Sequence, residues 1–373
     1  MTSSPHAEHV GSLLRPPLLL DARAARERGE FDDAALAELT DQAILEVLEL
    51  QRGAGIGVFT DGEYRRSTWM AGLLEDTGGV VPIDQSSDGV QWIRDGETAP
   101  EQDTQFDLIA ASDTVYRKGT RTLTEAAFMV KHSPGPFKIT MMSASMGAMI
   151  WRNGISSAAY PHPADLVRDL VALQIEEITQ LIDAGARWIQ LDSLSYNQVF
   201  DPHFRAGLGL GNVPPAVLLD AVVTADQTIV AGAKRRDPSV TVAMHICRGN
   251  NRGAWMSSGS YEAVAERLFG ETGVDRFLLE YDTGRAGGFE PLRFVGGDST
   301  VVLGIVSSKT PALEDEDDLL RRVDEAAQYV PGENLAISPQ CGFASTQQGN
   351  LLTIDDERRK LELVARTAQR LWG

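Results

Sequence analysis

The chain has 373 residues, 43% of them hydrophobic and 23% charged, the balance of a globular protein with a substantial core. Its 53 acidic residues against 34 basic ones leave a net charge of −19, which repels polyanions and argues against nucleic acid or an anionic membrane surface as a partner. No run approaches 18 apolar residues, Arg15-Pro16-Pro17 breaks the signal-like LLRPPLLL, and two cysteines build no secreted disulfide framework, so a cytoplasmic enzyme or binding protein is expected.

In chain order, residues 34–52 carry apolar side chains at helical spacing behind the capping pair Asp32-Asp33, and Gly53 and Gly55 stop them. Ile56–Phe59 is short and β-branched and runs into Thr60-Asp61-Gly62-Glu63. A further strand is expected within 105–130, and Phe137–Met141 reads as another. Residues 163–183 are helical, ended by Gly185, and the strand-like Trp188–Leu191 leads to Asp192. Helices over 214–234 and 261–270 alternate with strands at Val240–His245 and Phe277–Glu280. Val301–Val306 lacks polar alternation, as a strand buried on both faces should. The acidic run Glu314–Asp318 opens a helix at its positive end, Leu335–Ile337 is the last strand, and 355–371 the last helix.

Strand–helix alternation implies parallel pairing, and eight such units predict an α/β fold, a closed (β/α)8 TIM barrel. No repeat or long linker divides the chain, so residues 1–373 are expected to form a single domain with an N-terminal extension and an insertion near the second strand. A doubly wound open sheet is the alternative. No GxGxxG follows the first strand and GxxxxGK[ST] is absent, so nucleotide-phosphate binding is not expected.

In a parallel barrel, chemistry collects where strands end. Several predicted strands end in reactive residues: Glu63, Asp192, His245 with Cys247, Glu280, and Cys341. His245 and Cys247 stand at i, i+2, which points both to one face of an extended segment. Glu280 follows Cys247 by 33 residues, about one βα unit, and Cys341 follows Glu280 by 61, about two units. H-x-C alone is a weak signal, because buried cysteines are usually inert small hydrophobes. It gains weight because both cysteines of the chain fall at strand ends, with a carboxylate ending the strand between them. The bland reading is two core thiols and a surface glutamate. One imidazole, two thiolates and one carboxylate suit tetrahedral zinc. Three negative ligands around Zn²⁺ make a poor Lewis acid, but one fit to hold a substrate thiol as a nucleophilic thiolate.

These residues, in this order, resemble the catalytic barrel of the cobalamin-independent methionine synthase family over most of the chain. The resemblance maps the family's zinc ligands onto His245 and Cys247 in HICRGN, Glu280 in LLEYD, and Cys341 in SPQCGF. It maps homocysteine-binding positions onto Val10-Gly11-Ser12, Glu63 in TDGEYRR and Asp192 in IQLDS. It implies a zinc-dependent alkyl (methyl) transferase with a small thiol and an alkyl donor as partners; it leaves the oligomeric state open, a homo-oligomer included. Three departures stand out: a second N-terminal barrel is missing, the family's D-x-H-S-P stretch reads Ser307-Ser308-Lys309-Thr310-Pro311, and no R-C-x-[RK]-P-P segment is found. They put a methyltetrahydrofolate donor in doubt. Relatives include epoxyalkane:coenzyme M transferase, and a non-catalytic zinc- or thiol-binding homologue is the rival from another class.

Of the individual residues, Asp192 and Glu63 are candidates to hold a substrate ammonium or, alternatively, to cap loops. Arg65, with Arg66, is a candidate clamp for an anionic handle or a solvated basic pair. Lys309 is a candidate acid in place of the missing histidine, or an exposed lysine. Trp69, Trp151 and Tyr196 either wall a pocket or pack the core.

Overall fold

The computed structural model of the chain describes residues 5–83, 91–100, 108–207 and 210–373. Helices α1 (Pro17–Glu27) and α2 (Asp33–Ala54) come first; the Asp32 side chain caps α2 by accepting from the N–H groups of Ala34 and Ala35, and Gly55 ends it at φ 85°. Strands β1 (Thr77–Ile83) and β2 (Leu108–Arg117) pair antiparallel, and helix α3 (Arg121–His132) leads to β3 (Ile139–Met142). Then helices and strands alternate: α4 (Pro163–Asp183), β4 (Trp188–Ser193), α5 (Pro215–Arg236), β5 (Thr241–Ile246), α6 (Glu262–Glu271), β6 (Arg276–Glu280), β7 (Thr300–Val306), α7 (Glu316–Ala326), β8 (Leu335–Pro339) and α8 (Ile354–Trp372).

Six of these strands form one parallel sheet in the order β8-β7-β6-β5-β4-β3. Two short segments close it into a barrel. Ala7 makes a parallel bridge to Ile337 of β8, and the Gly57 N–H donates to the Ala7 carbonyl at 3.0 Å. Phe59 bridges Phe137, two residues ahead of β3, and the Lys138 N–H donates to the Phe59 carbonyl at 3.0 Å. The fold is therefore the expected (β/α)8 barrel, with one correction to its strand inventory. Residues 105–130 hold no barrel strand among the described residues; they give β2, which pairs with β1 in the insertion after the second barrel segment, and most of α3. The remaining barrel position is taken by the segment at Ala7.

Alternation along the strands fills the barrel: Val10, Val58, Trp188, Ala243, Leu278, Val302 and Ala336 form one interior cluster, separate from the larger core between sheet and helices. At the end where the strands begin, Lys138 and Arg276 both pair with the fully buried Glu8, at 3.0 and 2.6 Å. Burial alone would raise the Glu8 carboxyl; the two cations outweigh it and hold the group below its ordinary value.

Helix α5 is long and apolar enough to cross a membrane by length and composition alone, with mean hydropathy 1.4 over its best 18-residue window. The structure uses it as a barrel wall: half of that window is buried, and its buried Asp226 accepts from the Tyr196 hydroxyl at 2.8 Å. In the insertion, a two-rung hairpin (Ile93–Arg94 with Glu97–Thr98) bridges from Ile93 to Trp255 in the loop after β5, which carries Trp92 over the strand ends.

Candidate metal centre

His245 is the penultimate residue of β5, its side chain buried at the strand-end mouth of the barrel. Its Nδ1 lies 3.1 Å from the Leu278 carbonyl of β6, so the proton belongs on Nδ1 and the lone pair on Nε2, which is buried and has no protein partner. Cys247 follows the strand; its carbonyl accepts from the Asn197 amide at 2.6 Å, and the Gly249 N–H donates to its sulfur at 3.2 Å. Cys341 sits in the turn after β8, its Sγ 3.5 Å from that of Cys247. Among the described residues, His245, Cys247 and Cys341 form a group whose ligand atoms all lie within 4.8 Å of one another.

The donor set fits zinc. A disulfide would bring the sulfurs to about 2.05 Å, whereas two sulfurs about 2.3 Å from one tetrahedral ion stand about 3.8 Å apart. The observed 3.5 Å belongs with the second case. The hydrogen bond the two thiols share, with the His245 ring adding to the effect, holds Cys341 well below the ordinary thiol range; the same bond together with burial lifts Cys247 well above it. A buried thiolate, a second thiol beside it and an unpaired imidazole nitrogen are what a soft divalent cation satisfies together.

Glu280, expected as the fourth ligand, stands outside this three-donor group. It ends β6 fully buried, and both its oxygens are engaged: Oε2 accepts the Arg248 N–H at 2.9 Å, and Oε1 takes Arg285 Nη2 at 2.5 Å and Lys309 Nζ at 3.3 Å.

A small cavity of about 50 Å³ opens beside the sulfurs, walled by His245, Cys247, Cys341, Ser12, Glu63, Asp192, Trp69 and Trp92 among others. Glu63 adopts φ 60°, a left-handed conformation costly for a residue with a Cβ. This places Oε1 2.7 Å from the Thr140 hydroxyl and leaves Oε2 buried without a protein partner. Asp192 accepts from Gln190 Nε2 at 2.7 Å; burial pushes its carboxyl up to about 7, with His245 opposing the shift and Glu63 adding to it. Gly11 lies against this pair: a Cβ there would sit 2.8 Å from Thr140 Cγ2 and 2.9 Å from Glu63 Oε1. The barrel thus brings Ser12, Glu63, Asp192, His245, Cys247 and Cys341 to one wall, with Gly11 packed behind Glu63.

Two expected residues lie elsewhere. Arg65 is not on the cavity wall; its guanidinium pairs with Asp41 of α2 and stacks 5.0 Å over Phe128, because Arg65 and Arg66 leave the turn in opposite directions. Arg66 is the one that points in, forked onto Glu125 at 2.8 and 2.6 Å and reaching the Thr140 hydroxyl at 3.1 Å. The Lys309 side chain is buried, not exposed, and it too is off this wall, its ammonium held against Glu280. Of the aromatic trio, Trp69 lines the cavity, whereas Trp151 donates to the Tyr160 carbonyl and Tyr196 to Asp226. Thr140, Trp92 and Arg285 were missed; for Arg285 the signal was a cation five residues past a strand-end glutamate.

Residues 7–354 match the family described as cobalamin-independent synthase, catalytic domain. The chain is 35% identical over 370 residues to the uncharacterized protein YxjH of Bacillus subtilis, covering 98% of this chain and 94% of that one. It is 25% identical over 341 residues to the 5-methyltetrahydropteroyltriglutamate–homocysteine methyltransferase of Herpetosiphon aurantiacus, covering 90% of this chain but 39% of that enzyme. A Listeria monocytogenes structure solved as a candidate vitamin-B12-independent methionine synthase superposes with TM-score 0.73 at 27% identity, covering all of both chains.

Proposed function

The chain belongs to the cobalamin-independent methionine synthase catalytic-domain family, a family of methyltransferases, and from that premise we propose that it is a zinc-dependent transferase moving a methyl or other small alkyl group onto a small thiol such as homocysteine. The observation that carries this reading is the buried triad of His245 Nε2 and two sulfurs 3.5 Å apart on the wall of a cavity that also presents two carboxylates. In this reading the chain acts as one catalytic barrel in the cytoplasm. His245, Cys247 and Cys341 would hold the zinc, which when bound would supply charge that keeps a thiol ionised at neutral pH while its sulfur stays nucleophilic.

The protein's own groups do the rest. Leu278 fixes the His245 tautomer through Nδ1, and the Gly249 N–H stabilises negative charge on Cys247. Glu63 and Asp192 offer carboxylate oxygens to a substrate ammonium; Arg66 and Thr140 hold Glu63 in its strained conformation. Trp69 and Trp92 narrow the cavity and exclude water from the sulfur. Folate leaves only when protonated, and the Lys309 ammonium is engaged with Glu280. That favours a donor whose leaving group needs no proton, such as methylcobalamin. An epoxide, which a zinc-bound thiolate opens in related enzymes, is the second reading.

The test is direct. Purified protein should carry about one tightly held zinc per chain. Incubated with homocysteine or coenzyme M and, in turn, methylcobalamin, methyltetrahydrofolate or an epoxide, it should form a thioether detectable by mass spectrometry. Metal-loaded protein that forms none with any pair is a binding homologue, and the catalytic reading falls.

A further inference from the structure

A cavity of about 710 Å³ lies between α4 and α5, and it shares no wall residue with the cavity beside the sulfurs. Val167, Val171 and Ile175 of α4 line it at helical spacing, and Val217, Ala221 and Ala225 of α5 do the same from the other helix. Met146 and Met149, from the turn after β3, add to the apolar wall. The membrane-like composition of α5 is explained here: half of its most apolar 18-residue window stays unburied by the barrel, and Val217 is 56% exposed. The two helices meet where Gly232 backs onto Ile175, a Cβ there falling 2.9 Å from the isoleucine side chain. All wall residues on either helix lie at that contact or N-terminal to it, so the cavity is the wedge left by the helix crossing.

Polar groups on this wall are few, and most are engaged. Arg168 pairs with Asp165 at 2.9 Å, and Asp220 with Arg267 at 3.0 Å. Arg205 differs. Its Nη1 donates to the Val213 carbonyl at 3.0 Å, Nε is buried with no hydrogen-bond partner, and no carboxylate pairs with it among the described residues. A partly buried guanidinium without a counter-charge favours an anion, through charge-assisted hydrogen bonds about twice as strong as neutral ones. Small-molecule sites commonly enclose about 300–1,000 Å³, with mostly apolar walls and a few placed polar groups, and this cavity has that size and that balance.

We propose that the cavity between α4 and α5 is a second ligand site, for an aliphatic carboxylic acid whose chain lies along the two apolar stripes and whose carboxylate meets the Arg205 guanidinium. A neutral apolar molecule would fill the wedge but leave Arg205 uncompensated, and an amphiphilic cation would face it with like charge. The site goes beyond the transfer reaction, and nothing in it depends on the metal or on the thiol.

Titration calorimetry of decanoate into the full-length protein tests this, with decanol as the neutral counterpart. Decanoate should bind saturably in the micromolar range and decanol more weakly. Ala221→Trp, at an exposed wall position, should fill the wedge and weaken decanoate by about tenfold or more. Arg205→Gln should weaken decanoate by about tenfold and leave decanol unchanged. Circular dichroism checks folding; should Ala221→Trp not fold, Ala172→Trp on the facing helix decides in its place. No saturable decanoate binding by the wild type, binding indifferent to the tryptophan, or equal loss of acid and alcohol in Arg205→Gln each overturns the inference. Sedimentation covers the other occupant: a wild-type dimer that Ala221→Trp splits, with no decanoate bound, makes the wedge a contact between copies and overturns it too. The readout involves neither zinc nor thioether, so it fails or succeeds apart from the zinc reading.

Discussion

A methyl group at position 11 has nowhere to go. Its carbon would lie 2.8 Å from Thr140 Cγ2 and 2.9 Å from Glu63 Oε1, and Glu63 is already held in a left-handed conformation by its surroundings. Gly11→Ala must push Glu63 along the cavity wall, so the KM for the thiol should rise about tenfold or more, equivalent to about 1.4 kcal/mol, while bound zinc stays constant. Thioether kinetics with metal analysis checks this; an unchanged KM separates Glu63 from substrate binding. Glu357 of α8 makes a different residue-level case. One of its oxygens accepts the Leu14 N–H at 2.8 Å, the other has no protein partner, and burial pushes the carboxyl up to about 8. Because the folded pKa lies above the unfolded one, the native state binds the extra proton, and stability falls as pH rises from about 4.5 to about 8. Glu357→Gln keeps the acceptor for Leu14 and cannot ionise. It should be near neutral or slightly destabilising at pH 5 and stabilising by on the order of a few kcal/mol at pH 8. Urea unfolding at the two pH values measures the crossover, and a pH-independent difference would place the titration elsewhere.

At the scale of elements, helix ends are decided by local chemistry and so could be read from sequence. Asp32 caps α2 with two N–H contacts at 3.0 Å, and removing them in Asp32→Ala should cost about 1 kcal/mol in urea unfolding without altering zinc content. The same legibility holds for 163–183, which matches α4 at both ends, and for the acidic opening of α7, whose cap is Asp315. Strands buried on both faces, such as β7, were equally plain because they are continuous apolar runs. The segment around Ala7 was not. It makes a single bridge to β8, and its neighbours Glu8 and His9 are buried polar groups, so nothing in Pro5–Val10 has the periodicity of a strand. The expectation of a strand in 105–130 found a real one, β2, but a strand's own residues cannot say which sheet it joins. Position in the barrel is decided by closure, a tertiary event.

For the molecule as a whole, the same closure explains which parts of the site could be foreseen. Cys247 and Cys341 are 94 residues apart, yet strand ends of one barrel share one rim, so residue type and strand register sufficed to bring them together. The direction of a long cation is set by packing, which is why Arg65 and Arg66 read as one pair although they part company, and why the Arg285–Glu280 pair went unseen. At the opposite end, Glu8 ties the Ala7 segment to β6 and to the residue before β3 through Arg276 and Lys138. Arg276 also donates to the Pro5 carbonyl and Lys138 to the His9 carbonyl, and all three charges are buried. Glu8→Gln keeps the shape but strands two cations away from water, which should cost about 3–5 kcal/mol in urea unfolding near neutral pH. The sign with pH is opposite to that of Glu357. Glu8 is held below its ordinary value, so its contribution is present above the usual carboxylate range and fades as pH falls through the lower folded value. The gap between wild type and Glu8→Gln should therefore narrow in acid; a gap that stays constant would mean that the barrel floor does not depend on this charge.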